Sequence, residues 1–238
     1  MSDTPFYIRK LLSPEDHREK VDKMLARGEW VDGLVSFTGT KAVKNNKQLK
    51  SFNEDEEANQ PYKTLSDLVF AAVDKDRRFR EYTIPARSAG FLVSKWEAGS
   101  YYKIHHDALK NGDYSTTVFL SNPDDYDGGE LVLETLTGDY PIKLGWGEAI
   151  TYPTGTLHQI KPITFGVRYV AVFWTHTFIR DPLIREVVGT LGNFMEDARR
   201  EAPHLDLFKV SRAIHTLHRG YGNHMSPMGS LGVEDIHM

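Results

Sequence analysis

The spacing of apolar and polar residues changes twice along the chain. At the start, Ser13-Pro14-Glu15-Asp16 reads as a helix opening, with Ser13 as N-cap and Pro14 at the first helical position. This helix is expected to run to about Arg27, where Gly28 ends it. Trp30 to Leu49 reads as extended chain with Gly33 and Gly39 as turn points, and the polar, acidic stretch from Ser51 to Pro61 reads as a loop. Leu65, Leu68, Val69, Ala72 and Val73 then fall on one face of a second helix.

From about Ile84 to Phe178 the period shortens. β-rich runs cover Gly90–Trp96, Tyr114–Leu120, Glu130–Glu134, Tyr140–Leu144, Ala149–Tyr152, Leu157–Ile163 and Arg168–His176. Turn signals separate them at Asn122-Pro123, Gly128-Gly129, Gly138-Asp139, Gly145-Trp146-Gly147 and Thr164-Phe165-Gly166. Short strands at this spacing suggest a sandwich or barrel, the double-sheet jelly roll among them. After Asp181-Pro182 the helical period returns, with Leu183, Val187, Leu191, Phe194 and Ala198 on one face. A last helix is expected over Leu205–Leu217, stopping near Gly220, and the tail from Tyr221 shows no period. The chain thus divides into a helical and β support region (1–83), a β core (84–179) and a C-terminal helical region with its tail (180–238).

Composition narrows the function. The 238 residues can bury a full core, and contents of 40% hydrophobic and 26% charged residues suit a soluble globular protein. A formal net charge of -4 argues against general nucleic-acid binding, and the lysines at 41, 44, 47 and 50 read as a solvated face. With no cysteine, disulfides, thiolate metal sites and cysteine nucleophiles are excluded. Met1–Lys10 lacks the apolar core of a signal peptide, and the longest apolar run, Tyr169–Trp174, is strand-sized. A cytoplasmic protein with no membrane partner is the expectation.

The candidate chemistry begins at His105-His106-Asp107. On a strand, His105 and Asp107 share one face and His106 takes the other. An imidazole and a carboxylate side by side suit a divalent metal, and His158, just after the turn Pro153-Thr154-Gly155, supplies a third donor. Two histidines and a carboxylate on one face of a metal leave three positions for a bidentate co-substrate and oxygen. Ten residues beyond His158, Arg168 opens an apolar strand and shares a face with Val170, Val172 and Trp174. A guanidinium there requires a partner: a protein carboxylate in an internal ion pair, or the distal carboxylate of a dicarboxylate co-substrate.

The stretch Tyr102-x-x-His105-x-Asp107, followed by Phe119-Leu120-Ser121-Asn122-Pro123 and Gly128-Gly129-Glu130-Leu131, resembles the PKHD-type hydroxylases. These are prolyl-4-hydroxylase-like iron(II)/2-oxoglutarate oxygenases. The likeness continues through Tyr152-Pro153, Leu157-His158, Gly166-x-Arg168 and Phe173-Trp174, and includes Lys44-Asn45-Asn46-x-Gln48-Leu49 upstream. The resemblance implies an α+β fold, a double-stranded β-helix (jelly roll) flanked by helices. It implies iron(II) held by His105, Asp107 and His158, and 2-oxoglutarate held by Arg168, with L-ascorbate as reductant. The implied reaction couples oxidative decarboxylation of 2-oxoglutarate by molecular oxygen to hydroxylation of a small-molecule or peptidyl substrate. Where the family pattern has glycine before the first histidine, this chain has Tyr101-Tyr102-Lys103-Ile104, and Trp96 replaces a common tyrosine.

Tyr102 and Trp96 are candidates to line the co-substrate pocket, with plain core packing as the alternative. Asn45 and Asn46 read as a turn or as part of a lid. His106 reads as structural, His176 at the end of the Arg168 strand is not expected to be a ligand, and His215, His218, His224 and His237 read as solvated. A metal-dependent cupin-type enzyme and a non-catalytic ligand-binding jelly roll share the layout. Neither needs Arg168 in the pocket together with an intact triad.

Overall fold

The computed structural model describes residues 6–37, 40–50 and 56–222, with residues 56–60 as backbone only. Two antiparallel sheets face one another, and helices cover the outer side of the larger one. The large sheet runs in the order β1 (Tyr7–Lys10), β11 (Glu148–Pro153), β7 (Tyr114–Phe119), β13 (Ile163–Thr177), β5 (Pro85–Glu97), β4 (Lys47–Leu49) and β2 (Trp30–Asp32). β8 (Tyr126–Gly128) pairs with the start of β13. The small sheet runs β10 (Gly138–Ile142), β9 (Leu131–Thr135), β12 (Leu157–Ile160), β6 (Tyr101–His105) and β3 (Lys44–Asn45). This is the jelly roll of the sequence reading, extended on both sheets by strands from the N-terminal region.

Strand alternation sorts the apolar side chains into two cores. On β13, Ala171 and Phe173 face α1 (Pro14–Arg27), α2 (Glu56–Lys75) and α3 (Arg77–Thr83), joining Val21, Leu65, Val69 and Phe79. Val170 points into the space between the sheets with Phe119, Leu131, Ile150 and Tyr152. The first helix begins and ends as expected, with Ser13 accepting from the Asp16 amide and the Gly28 amide donating to Met24.

Several elements depart from the sequence reading. The stretch expected as a loop up to Pro61 is helical from Glu56 and carries Pro61 within it, at the loss of the one ladder hydrogen bond its missing N–H would make. Glu56 and Glu57 suit that end of a helix dipole. The turn expected at Thr164-Phe165-Gly166 is an irregularity inside the single strand β13, which Gly166 enters with φ +76°. α4 (Pro182–Glu201) starts at the Asp181 cap but buries Val188, Gly189, Met195 and Ala198, while Leu183, Val187 and Phe194 stay exposed. The reason is Gly189, whose missing side chain lets the backbone come close to Glu81 of α3. The last helix, α5 (Phe208–Tyr221), lies some residues later than expected and is capped at Gly222.

Candidate active site

His158 on β12 pairs directly with His105 on β6, which brings the two imidazoles from neighbouring strands to one place. Two residues of β6 (Lys103 and Ile104) oppose one of β12 (Gln159) between the pairs His158–His105 and Ile160–Tyr102. This β-bulge cancels strict alternation, so Tyr102 and His105 both turn inward and stack with ring centroids 3.5 Å apart. β6 ends at His105, so Asp107 lies in the following loop, outside the strand on which the sequence reading placed it. It still reaches the histidines: its Oδ1 lies 4.0 Å from His158 Nε2. One donor atom from each of His105, Asp107 and His158 falls within 4.8 Å of the others, a spacing that can hold a metal ion.

Hydrogen bonds leave the ligand atoms free. His105 Nδ1 lies 2.8 Å from the Lys103 carbonyl and His158 Nδ1 lies 2.9 Å from that of Thr156. Carbonyls only accept, so both Nδ1 atoms carry the proton and both Nε2 atoms keep a lone pair. Asp107 Oδ2 accepts from Ser115 Oγ at 2.7 Å and from Trp174 Nε1 at 3.0 Å, leaving Oδ1 for a metal. Burial and the neighbouring His158 push His105 down to about 4, against the opposing pull of Asp107. A neutral imidazole is the form that ligates a cation.

Beside the triad a cavity of about 440 Å³ opens between the sheets. Arg168, Val170, Val172 and Trp174 all line it, as strand alternation requires. Arg168 is fully buried and makes no ion pair, and none of its three guanidinium nitrogens has a hydrogen-bond partner among the described residues. Burial lowers its pKa, with the Tyr126 and Tyr152 hydroxyls opposing. Among the described residues no carboxylate pairs with Arg168. A buried guanidinium with the Tyr126 and Tyr152 hydroxyls for polar company fits a carboxylate ligand, which its fork can match bidentately.

Tyr102 and Trp96 line the same cavity. Desolvation pushes the Tyr102 hydroxyl up to about 12, so it stays protonated as a donor. His106 is exposed at the rim and is not in the triad, and His176 packs against Arg87 and Asp113. Asn45 and Asn46 bond to the backbone of Gly99 and Lys47 and line a separate pocket. His215 and His218 lie on α5, and His224 and His237 fall outside the described residues. Ser115, Trp174 and Lys44 are site residues that sequence reasoning missed. Trp174 carried a signal, since it shares a strand face with Arg168.

The pattern of the 2OG-Fe(II) oxygenase superfamily matches residues 91–176. A PKHD-type hydroxylase of Synechococcus sp. is 34% identical over 201 residues, covering 79% of this chain and 87% of its own length. That of Gloeothece citriformis is 34% identical over 228 residues, covering 90% and 97%. The chain belongs to the PKHD-type hydroxylases, and it is a 2-oxoglutarate- and iron(II)-dependent dioxygenase. Among solved structures, a Trichoplax adhaerens prolyl hydroxylase bound to a peptide fragment of hypoxia inducible factor superposes with TM-score 0.56 at 16% identity. It covers 78% of this chain and 87% of its own. A Pseudomonas putida prolyl-4-hydroxylase superposes at 0.51 with 15% identity, covering 74% and 94%. These two likenesses speak for the fold alone.

Proposed function

We propose that His105, Asp107 and His158 hold the iron(II), that Arg168 grips the distal carboxylate of 2-oxoglutarate, and that the enzyme hydroxylates a small-molecule or peptidyl substrate. The observation that carries this reading is the buried Arg168 fork, unpaired among the described residues, in the same cavity as three converging ligand atoms. Bound iron supplies oxygen activation coupled to loss of carbon dioxide from 2-oxoglutarate. The protein's own tasks are positional. Ser115 and Trp174 fix the Asp107 carboxylate, and backbone carbonyls fix both imidazole tautomers. Tyr102, stacked on His105, offers its hydroxyl to the co-substrate. The apolar wall of Leu131, Ile160, Val170 and Val172 limits water around the reacting centre.

A peptidyl substrate is one arm of this proposal, and the Trichoplax structure holds a peptide on the same fold. Ascorbate belongs to the same proposal as the reductant that keeps iron ferrous, and activity that fades over successive turnovers without it is the expected sign. A cytoplasmic location suits a chain with no cysteine.

Arg168→Ala tests the assignment. With the protein loaded anaerobically with iron(II), 2-oxoglutarate is titrated while its charge-transfer absorption is followed. Losing one side of a buried charge-assisted contact costs about 2–5 kcal/mol, so the midpoint should rise roughly 30-fold or more. Iron stoichiometry should stay the same, and Arg168→Lys should recover only part of the loss. An unchanged midpoint in the alanine variant removes Arg168 from the co-substrate site.

A further inference from the structure

The small sheet brings a second buried cation to this cavity. Lys44 on edge strand β3 pairs in register with Tyr102 on β6, whose ring stacks on His105. Its side chain is 7% exposed and lines the cavity on the sheet that faces Arg168. The Lys44 ammonium donates to the Gly33 carbonyl at 3.1 Å and to Ser36 Oγ at 3.3 Å. Both acceptors are neutral, and one N–H remains without an acceptor among the described residues. The rings of Tyr102 and Phe37 lie 5.4 and 5.8 Å from Nζ and add only weak compensation.

Among the described residues no carboxylate forms an ion pair with this charge. Asp32 and Asp107 act on Lys44 only from a distance. Asp32 is paired with Lys41 at 2.7 Å, and Asp107 is committed to Ser115, Trp174 and the metal position. Nor is Lys44 needed for the co-substrate, since Arg168 offers a complete fork for its distal carboxylate. Once iron(II) and the 2-oxoglutarate dianion are bound, charges on Asp107, Arg168 and Lys44 leave the buried site with one positive charge in excess. Lys110 also lines the cavity but is exposed, so solvent screens it. A buried ammonium costs stability unless something pairs with it. Here the missing partner would arrive with the substrate.

We infer that Lys44 is a specificity-determining residue that binds a carboxylate of the substrate, so that the enzyme selects an amino-acid or peptidyl substrate bearing a free carboxylate near the hydroxylated carbon. This rests on the iron and 2-oxoglutarate assignment above. The carboxylate has two sources, the α-carboxylate of a free or C-terminal amino acid and the side chain of an acidic residue.

The test uses full-length protein loaded anaerobically with iron(II) and 2-oxoglutarate. The probes are N-acetyl amino acids paired with their N-acetyl amides across the standard side chains. Binding is read by calorimetry and by the shift of the charge-transfer band. Carboxylate probes should bind at least about tenfold tighter than the matching amides for one or a few side chains, the scale of one charge-assisted hydrogen bond. If the side chain is the source, the amides of N-acetyl aspartate or glutamate should be the tight binders. Lys44→Met and Lys44→Gln should erase the preference, Lys44→Arg should keep most of it, and all three should retain the wild-type 2-oxoglutarate midpoint. No carboxylate preference anywhere in the wild-type panel overturns the inference, as does a preference that survives in a folded methionine or glutamine variant. A large rise in the 2-oxoglutarate midpoint in those variants would assign Lys44 to the co-substrate and overturn it too. If the charge-transfer band never forms in wild type, the iron and 2-oxoglutarate reading has failed first.

Discussion

Trp174 shows how much of this site lies one bond beyond its metal-facing atoms. Its indole N–H and the Ser115 hydroxyl both hold Asp107 Oδ2, so the carboxylate presents Oδ1 in a fixed direction although it stands in a loop. Trp174→Phe keeps most of the packing and deletes only the donor. Loss of such a support typically weakens a metal about 10- to 100-fold, and that drop is expected in an anaerobic iron(II) titration. His106→Ala, by contrast, should leave iron affinity unchanged, because this side chain lies outside the triad at the solvent-exposed rim. Equal affinities for wild type and Trp174→Phe would mean that Ser115 alone orients the carboxylate. That the two histidines, Asp107 and Arg168 come together was readable from residue type and spacing, because three metal donors in order along the chain and a guanidinium on an apolar strand face stand out. Ser115 and Lys44 were not. A serine on a strand carries no signal until its partner is known, and Lys44 sits among three other lysines that look like a solvated surface.

Elements were legible where local rules govern them. The cap at Ser13, the apolar stripe of α2 and the alternation along β13 depend on neighbours a few residues away, and the structure follows them. Legibility failed where tertiary packing decides. The buried face of α4 is chosen by the close approach of Gly189 to Glu81, and the inward turn of both Tyr102 and His105 by a bulge that pairing creates. Gly128-Gly129 illustrates both cases. It read as a plain turn, yet Gly128 lies in β8 at φ +73°, and a Cβ there would sit 2.0 Å from the Pro162 carbonyl oxygen. Gly128→Ala should therefore strain the β8–β13 pairing on which the buried end of the cavity rests. The left-handed backbone alone costs about 1–3 kcal/mol, corresponding to a fall in Tm of at least roughly 2 °C in a chain of this size. Thermal melting of the metal-free protein checks this, and an unaltered Tm would show that the strand shifts at no cost. Gly138→Ala should cost less, since its Cβ would meet open space despite the positive φ.

Across the whole molecule, the site sets a burial cost against function. Two cations, Arg168 and Lys44, are held in a low-dielectric space with no carboxylate among the described residues paired to either, and the folded state carries that penalty until ligands arrive. For Lys44 the penalty is measurable through pH. Desolvation lowers its pKa from 10.5 to about 8, partly opposed by Asp107 and Asp32. Between about pH 8 and 10.5 the unfolded chain therefore binds more protons at this site than the folded one, so the Lys44 contribution to stability rises with pH across that window. Below pH 8 both states are protonated and the penalty is fully present. A shift of this size corresponds to roughly 2–4 kcal/mol, at 1.36 kcal/mol per unit. Lys44→Met lacks the titration. In metal-free protein unfolded by urea, the stability of wild type relative to the methionine variant should climb by about that amount from pH 8 to 10.5, while tyrosine titrations cancel in the difference. At pH 7 the variant should be the more stable of the two, to the extent that its lost hydrogen bonds to Gly33 and Ser36 do not offset the relieved burial. A difference curve that stays flat over this window would show that the ammonium is solvated or paired in solution, and would take away the reason to look for a substrate carboxylate beside it.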